Sequence, residues 1–159
     1  MLTRIPLFLL AALQASLLPG LARRLAGRDI SGARRSLRQI VLILLGIGTM
    51  TTMVLIAVGP EVESVLFGPA FRTPLVSVVI LSVASTLFLL SAALGQALLA
   101  LGRPRDVAAG WVAGAVAFLA ALTLPGGVPQ RASTSFLIGS AVACLWLGAV
   151  VRRRFARLA

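Results

Sequence analysis

The sequence predicts an all-α, polytopic membrane protein of about five transmembrane helices, forming a single helical domain over residues 1–159. Three observations predict it. Five uncharged apolar runs, each long enough to cross a bilayer, fill most of the chain; a tilted spanning helix needs roughly 17–25 such residues. The chain is 59% hydrophobic and 12% charged, with a mean hydropathy of +1.04, whereas soluble domains sit near 45–50% apolar and about 25% charged. All 15 basic residues are arginine, and they collect in alternate gaps between the runs.

The first run is Ile5–Ala22, between Arg4 and Arg23. The second is Ile40–Val58, between Arg38 and Glu61. The third is Leu75–Leu101, between Arg72 and Arg103. Its 27 residues would reach about 40 Å as a helix, so it must tilt or project beyond the hydrocarbon. The fourth is Val107–Leu124, between Asp106 and the Pro125-Gly126-Gly127 turn. The fifth is Ser133–Val151, between Arg131 and Arg152.

Arginine placement orients the spans. The gaps 23–39 and 102–106 and the tail 152–159 hold twelve of the fifteen arginines; Arg4, Arg72 and Arg131 lie on the opposite side. Arginine-rich gaps stay in the cytoplasm, so the expected topology is N-out and C-in. Met1–Ala22 has a second reading, a secretory signal peptide cut after Ala22. Pro6 and Gln14 suit its apolar region poorly, and cleavage would start the most basic gap outside.

A net charge of +11 could suggest nucleic acid. The arginines flank apolar runs, however, and there is no Tyr for base stacking, so the expected partner is anionic lipid and not nucleic acid. With no His and one Cys, the usual zinc and haem ligand sets are excluded. Cys144 lies in an apolar run and reads as a packing residue. Glu61-x-Glu63 is the one close carboxylate pair and reads as a solvated outer loop. No span contains a carboxylate, and neither a phosphate-binding loop nor a nucleophile elbow is present, so no enzyme activity and no cofactor are expected.

Gln14 and Gln96 are the carboxamides inside the runs. Each should face protein or water, because an unpaired amide in hydrocarbon costs several kcal/mol. Gln14 fits an interhelical hydrogen bond and a polar point on a substrate path equally. Gln96 fits the hydrogen bond better. Gly46 and Gly48 permit close helix approach, and Thr49, Thr51 and Thr52 can bond back to the preceding turn. Gly110 and Gly114 form a GxxxG pair that suits packing within the chain better than a homodimer face. Pro19 reads as a kink or as a simple helix exit. The basic gap 23–39 reads better as a solvated, topology-fixing loop than as a short helix lying on the membrane.

The order of short motifs resembles one family. Residues 5–29 read I-P-L-F-L-L-A-A-L-Q-A-S-L-L-P-G-L-A-R-R-L-A-G-R-D. Then come Val65-Leu66-Phe67-Gly68-Pro69-Ala70-Phe71 and Ala97-Leu98-Leu99-Ala100-Leu101-Gly102-Arg103. These resemble a span and its Gly-Asp-ended loop (here with one residue inserted), an outer Leu-Phe-Gly-x-x-Phe element, and a Gly-Arg span exit. The family is the polysaccharide and oligosaccharide-lipid flippases, within the multidrug/oligosaccharidyl-lipid/polysaccharide flippase superfamily.

The resemblance implies a C-terminal segment, spans eight to twelve of a twelve-span, two-half carrier with both termini inside. An odd span count starting outside fits that place, so a truncated or split product, or a start upstream of Met1, is expected. The resemblance further implies alternating access in a bacterial-type inner membrane, a lipid-linked saccharide as substrate, and a complementing N-terminal half as partner. The first run would line the central cavity, which makes Arg4 and Gln14 the substrate-path candidates, with Arg4 placed to meet a diphosphate. The competing expectation is a small stand-alone membrane subunit or scaffold without transport activity of its own.

Overall fold

The computed structural model describes residues 27, 29–67, 74–125 and 127–158, and these form four helices with no strand among them. They are α1 (Ile30–Phe67), α2 (Leu75–Ala100), α3 (Pro104–Ala121) and α4 (Val128–Leu158). The predicted first span, Ile5–Ala22, lies outside the described residues, as do the side chains of residues 59–67.

Local chemistry explains where the helices start and stop. Asp29 caps α1: its Oδ1 accepts from the Gly32 backbone N–H at 2.8 Å and from the Ser31 hydroxyl at 3.0 Å. That satisfies one of the donors a helix start leaves unpaired. At the end of α2 the Gly102 N–H donates to the Leu99 carbonyl, and the Arg103 N–H to that of Leu98, both at 2.9 Å. Gly102 has φ +69°. These are the two bonds of a Schellman turn, whose left-handed position favours glycine. Pro104 then opens α3, where a missing N–H costs nothing. At the far end of α3 the Arg131 guanidinium donates to the Leu122 carbonyl at 3.1 Å, placing a cation on the negative helix terminus.

The helices outrun the apolar runs. The expected Ile40–Val58 is α1, of 38 residues. The expected Ser133–Val151 is α4, of 31 residues. An apolar run measures depth in the bilayer, whereas backbone bonding continues where side chains turn polar. Residues 30–39 are therefore the first turns of α1, neither a loop nor a separate surface helix. Glu61 and Glu63 also fall within helical α1 and not in a loop. The third run is nearly unchanged as Leu75–Ala100.

The fourth run shifts toward the N-terminus. α3 covers Pro104–Ala121 and ends before the Leu122–Leu124 turns. Its 18 residues include Arg105 and Asp106 in the first turn. Three helices are long and apolar enough to cross a membrane: α1 through Val58, α2 and α4. These mark the protein as membrane-embedded.

Packing fixes the directions. Ala33 and Leu37 of α1 meet Ala97 and Leu98 of α2 and Leu147, Val151 and Phe155 of α4 in one core cluster. At the opposite end Leu55, Ser77 and Ser133 line a common pocket. So α1 is antiparallel to α2 and α4, which run parallel. α3 turns back along α4, with Gly110 against Leu147 and Gly114 against Ala143 and Gly139. Successive helices thus alternate in direction.

α3 and α4 approach closely enough for their backbones to meet. A Cβ added at Gly114 would stand 2.9 Å from both the Ala143 Cβ and the Gly139 carbonyl oxygen. One added at Gly139 would stand 2.8 Å from the Phe118 Cβ. The Gly110/Gly114 pair therefore serves packing inside the chain, as small residues do where lipid supplies no hydrophobic drive between helices. Phe88 of α2 links the three helices, with ring centroids 5.3 Å from Trp111 and 6.0 Å from Phe136. α1 is attached differently. Only 6% of its most apolar stretch is buried, against 33% for α4. Gly48 lets it approach Thr86 of α2, while Gly46 faces open space.

Candidate functional site

Alternating directions bring the arginines together. Arg34, Arg35 and Arg38 lie on the first turns of α1. Arg103 and Arg105 lie at the α2–α3 turn, and Arg152, Arg153, Arg154 and Arg157 on the last turns of α4. All of these segments sit at the same end of the bundle, around the Ala33–Phe155 cluster. At the opposite end the one arginine among the described residues is Arg131, which is engaged with the Leu122 carbonyl.

The basic end is built by helical spacing. Ala33 and Leu37 are buried, at 0% and 7% exposed. Arg34 and Arg38, four residues apart, fall together on the neighbouring exposed face. On α4, Val151 and Phe155 repeat the buried spacing, and Arg152 stands beside them. Two adjoining grooves result. The outer one, about 800 Å³, is lined by Ile30, Ser31, Arg34, Arg35, Arg38, Phe155 and Leu158. The inner one, about 360 Å³, shares Arg34, Arg38 and Phe155. It runs down over Leu37, Val41, Leu94, Gly148 and Val151 and is bordered by Arg152. Among the described residues neither is lined by a carboxylate.

An ion pair also lies at the basic end. Arg154 Nη2 lies 3.6 Å from Asp106 Oδ2, with both side chains about a third exposed. The distance suits an ion pair and exceeds a hydrogen bond, and Oδ2 has no hydrogen-bond partner among the described residues. Such exposed pairs contribute about 0–1 kcal/mol. On the same side of the bundle lies Gln96. Its Oε1 is buried without a hydrogen-bond partner among the described residues. The threonines of α1 behave as expected. Thr49 and Thr52 donate to the carbonyls of Leu45 and Gly48, each at 2.8 Å.

The substrate-path candidates Arg4 and Gln14 lie outside the described residues, as do Pro6, Pro19 and the segment 68–73. Cys144 is half-buried and packs against the Leu44–Leu90–Ala93 cluster. Sequence reasoning treated residues 23–39 as one basic block and so missed the groove. The usable signals were the four-residue spacing of Arg34 and Arg38 and the Arg152/Phe155 pairing. Comparison with family models, with curated proteins and with solved structures gives no match.

Proposed function

We propose that this chain is the C-terminal part of a transporter that flips or exports a lipid-linked saccharide by alternating access in a bacterial-type inner membrane. The gathering of arginines at one end of the bundle supports its placement: the basic end in the cytoplasm, the C-terminus inside, and five spans in all. In this reading α3 crosses as the fourth span and Ile5–Ala22 as the first. The short flippase-like elements support the transport assignment, together with the flank of α1 that is exposed among the described residues, where helices of a second half could sit. Arg4 and Gln14 are the residues assigned to the substrate path, and the chemistry is translocation, not catalysis.

Two experiments test it. In a Cys144→Ser background, Ser31→Cys and Gly127→Cys should label from opposite faces of oriented vesicles; labelling from one face would end the topology. The chain co-expressed with a seven-span N-terminal half of a flippase should move a fluorescent polyprenyl-diphosphate saccharide across proteoliposomes. The chain alone should not. Close packing of α3 on α4 through Gly114 and Gly139 favours a second reading, a stand-alone membrane scaffold. That reading predicts a stable complex with another membrane protein and no translocation in either preparation.

A further inference from the structure

The groove between the first turns of α1 and the last turns of α4 has two parts that differ in chemistry. Its mouth carries Arg34, Arg38 and Arg152, and its floor is Val41, Leu94, Gly148 and Val151. The arginines stand at the basic end of the bundle, at the depth where headgroups lie when α1 and α4 span a bilayer. The apolar floor runs inward from there along the spans. Gly148 keeps the floor open: a Cβ added there meets only the Leu94 Cδ1, at 3.8 Å. Phe155, 4% exposed, closes the groove from behind. With no carboxylate in the lining among the described residues, a bound anion would meet no opposing charge from them. The nearest acid on α1, Asp29, accepts from Gly32 and Ser31 at the helix cap.

We propose that this groove is a binding site for one anionic phospholipid. Its phosphate is held by Arg34, Arg38 and Arg152, and one acyl chain lies over Val41, Leu94, Gly148 and Val151. Guanidinium groups match phosphate oxygens in a way that a diffuse surface charge does not. The apolar floor distinguishes a lipid from a free phosphate, which would use the mouth alone. A site between helices on the basic side is a recurring way for membrane proteins to hold acidic lipid. The proposal rests on membrane embedding with the basic end at headgroup depth. It does not rest on the transport reading, and failure of translocation would leave it standing.

The test is native mass spectrometry of the full chain released from neutral detergent, titrated with phosphatidylglycerol and, separately, with phosphatidylcholine. The wild type should retain one phosphatidylglycerol in preference to phosphatidylcholine. Arg34→Gln/Arg38→Gln should weaken that binding about twenty-five-fold, from two arginines at roughly fivefold each. Arg105→Gln/Arg157→Gln removes the same charge at the same end outside the groove lining and should leave the binding nearly intact. Gly148→Leu keeps every charge, fills the acyl floor and should also release the lipid. It carries the test if the double arginine variant fails to fold by size exclusion. Equal loss from both arginine pairs, equal retention of phosphatidylcholine, unchanged binding in a folded Gly148→Leu variant, or displacement by millimolar inorganic phosphate would each overturn the proposal.

Discussion

α4 and α1 are both long apolar helices, yet they are held in opposite ways. α4 presents Gly139 and Ala143 to α3, so that backbones touch, and it buries Leu147, Val151 and Phe155 at the basic end. α1 presents Leu42, Ile43, Ile47, Met50 and Met53 outward, each more than half exposed. Among the described residues its buried grip is Ala33, Leu37 and Leu44, with Ile30, Ile40 and Val41 packed alongside and Gly48 set close to Thr86. In lipid, large aliphatic side chains gain nothing by leaving the hydrocarbon, and small residues that admit close contact decide which helices associate. The bundle is therefore a tight α2–α3–α4 unit with α1 laid along α2.

The difference can be broken at its strongest point. Gly114→Leu puts a side chain against the Gly139 carbonyl and Ala143, neither of which can rotate away. It should lose about 1–3 kcal/mol or more, seen as a lowered melting temperature and a broadened elution peak in detergent. Gly46→Leu on α1 meets nothing within 4 Å and should stay within about 0.5 kcal/mol of wild type. Similar losses from both would show that α1 is packed as firmly as α4.

Gly48→Ala is the intermediate case. Thr86 crowds that position and would have to turn, giving up the hydrogen bond from its hydroxyl to the Ser82 carbonyl at 2.9 Å. A loss of about 1 kcal/mol is expected. Adding Thr86→Ala should recover most of it; no recovery would place the contact elsewhere. The smallest effect is expected at Gln96. Its buried Oε1 lacks a partner among the described residues, so Gln96→Leu should be neutral or stabilising by up to about 1 kcal/mol. A clear loss in thermal stability would show that the amide is bonded after all.

Much of this was legible in the sequence, for identifiable reasons. The runs Leu75–Leu101 and Ser133–Val151 fall within a residue of α2 or inside α4 because uncharged apolar length reports bilayer crossing directly. The helix ends were read less well. Asp29 two residues before Ser31, and Pro104 after Gly102, are start and stop signals that hydropathy ignores. Glycine roles were half legible. The four-residue spacing of Gly110 and Gly114 suggested packing, but only the structure separates Gly48, which faces Thr86, from Gly46, which faces nothing. The groove was least legible because it joins α1 to the far end of the chain. Gly102-Arg103 carries part of the flippase resemblance and also has a local cause. The Schellman turn favours Gly102 in any chain that reverses direction there.

That turn also bears on how the chain enters the bilayer during synthesis. α2 is strongly apolar, whereas α3 opens with Pro104, Arg105 and Asp106 and is the shortest of the four helices. Only Leu101, Gly102 and Arg103 separate them. A three-residue link leaves α3 no slack to sample the aqueous phase alone once α2 is committed. In the proposed five-span topology, where α3 crosses, we expect the translocation machinery to receive the pair as one helical hairpin, with α2 carrying its weaker partner across. A flexible spacer of about twenty residues after Gly102 should then leave α3 uninserted, as read by glycosylation mapping of sites beyond it. Unchanged insertion would show that α3 crosses on its own apolarity.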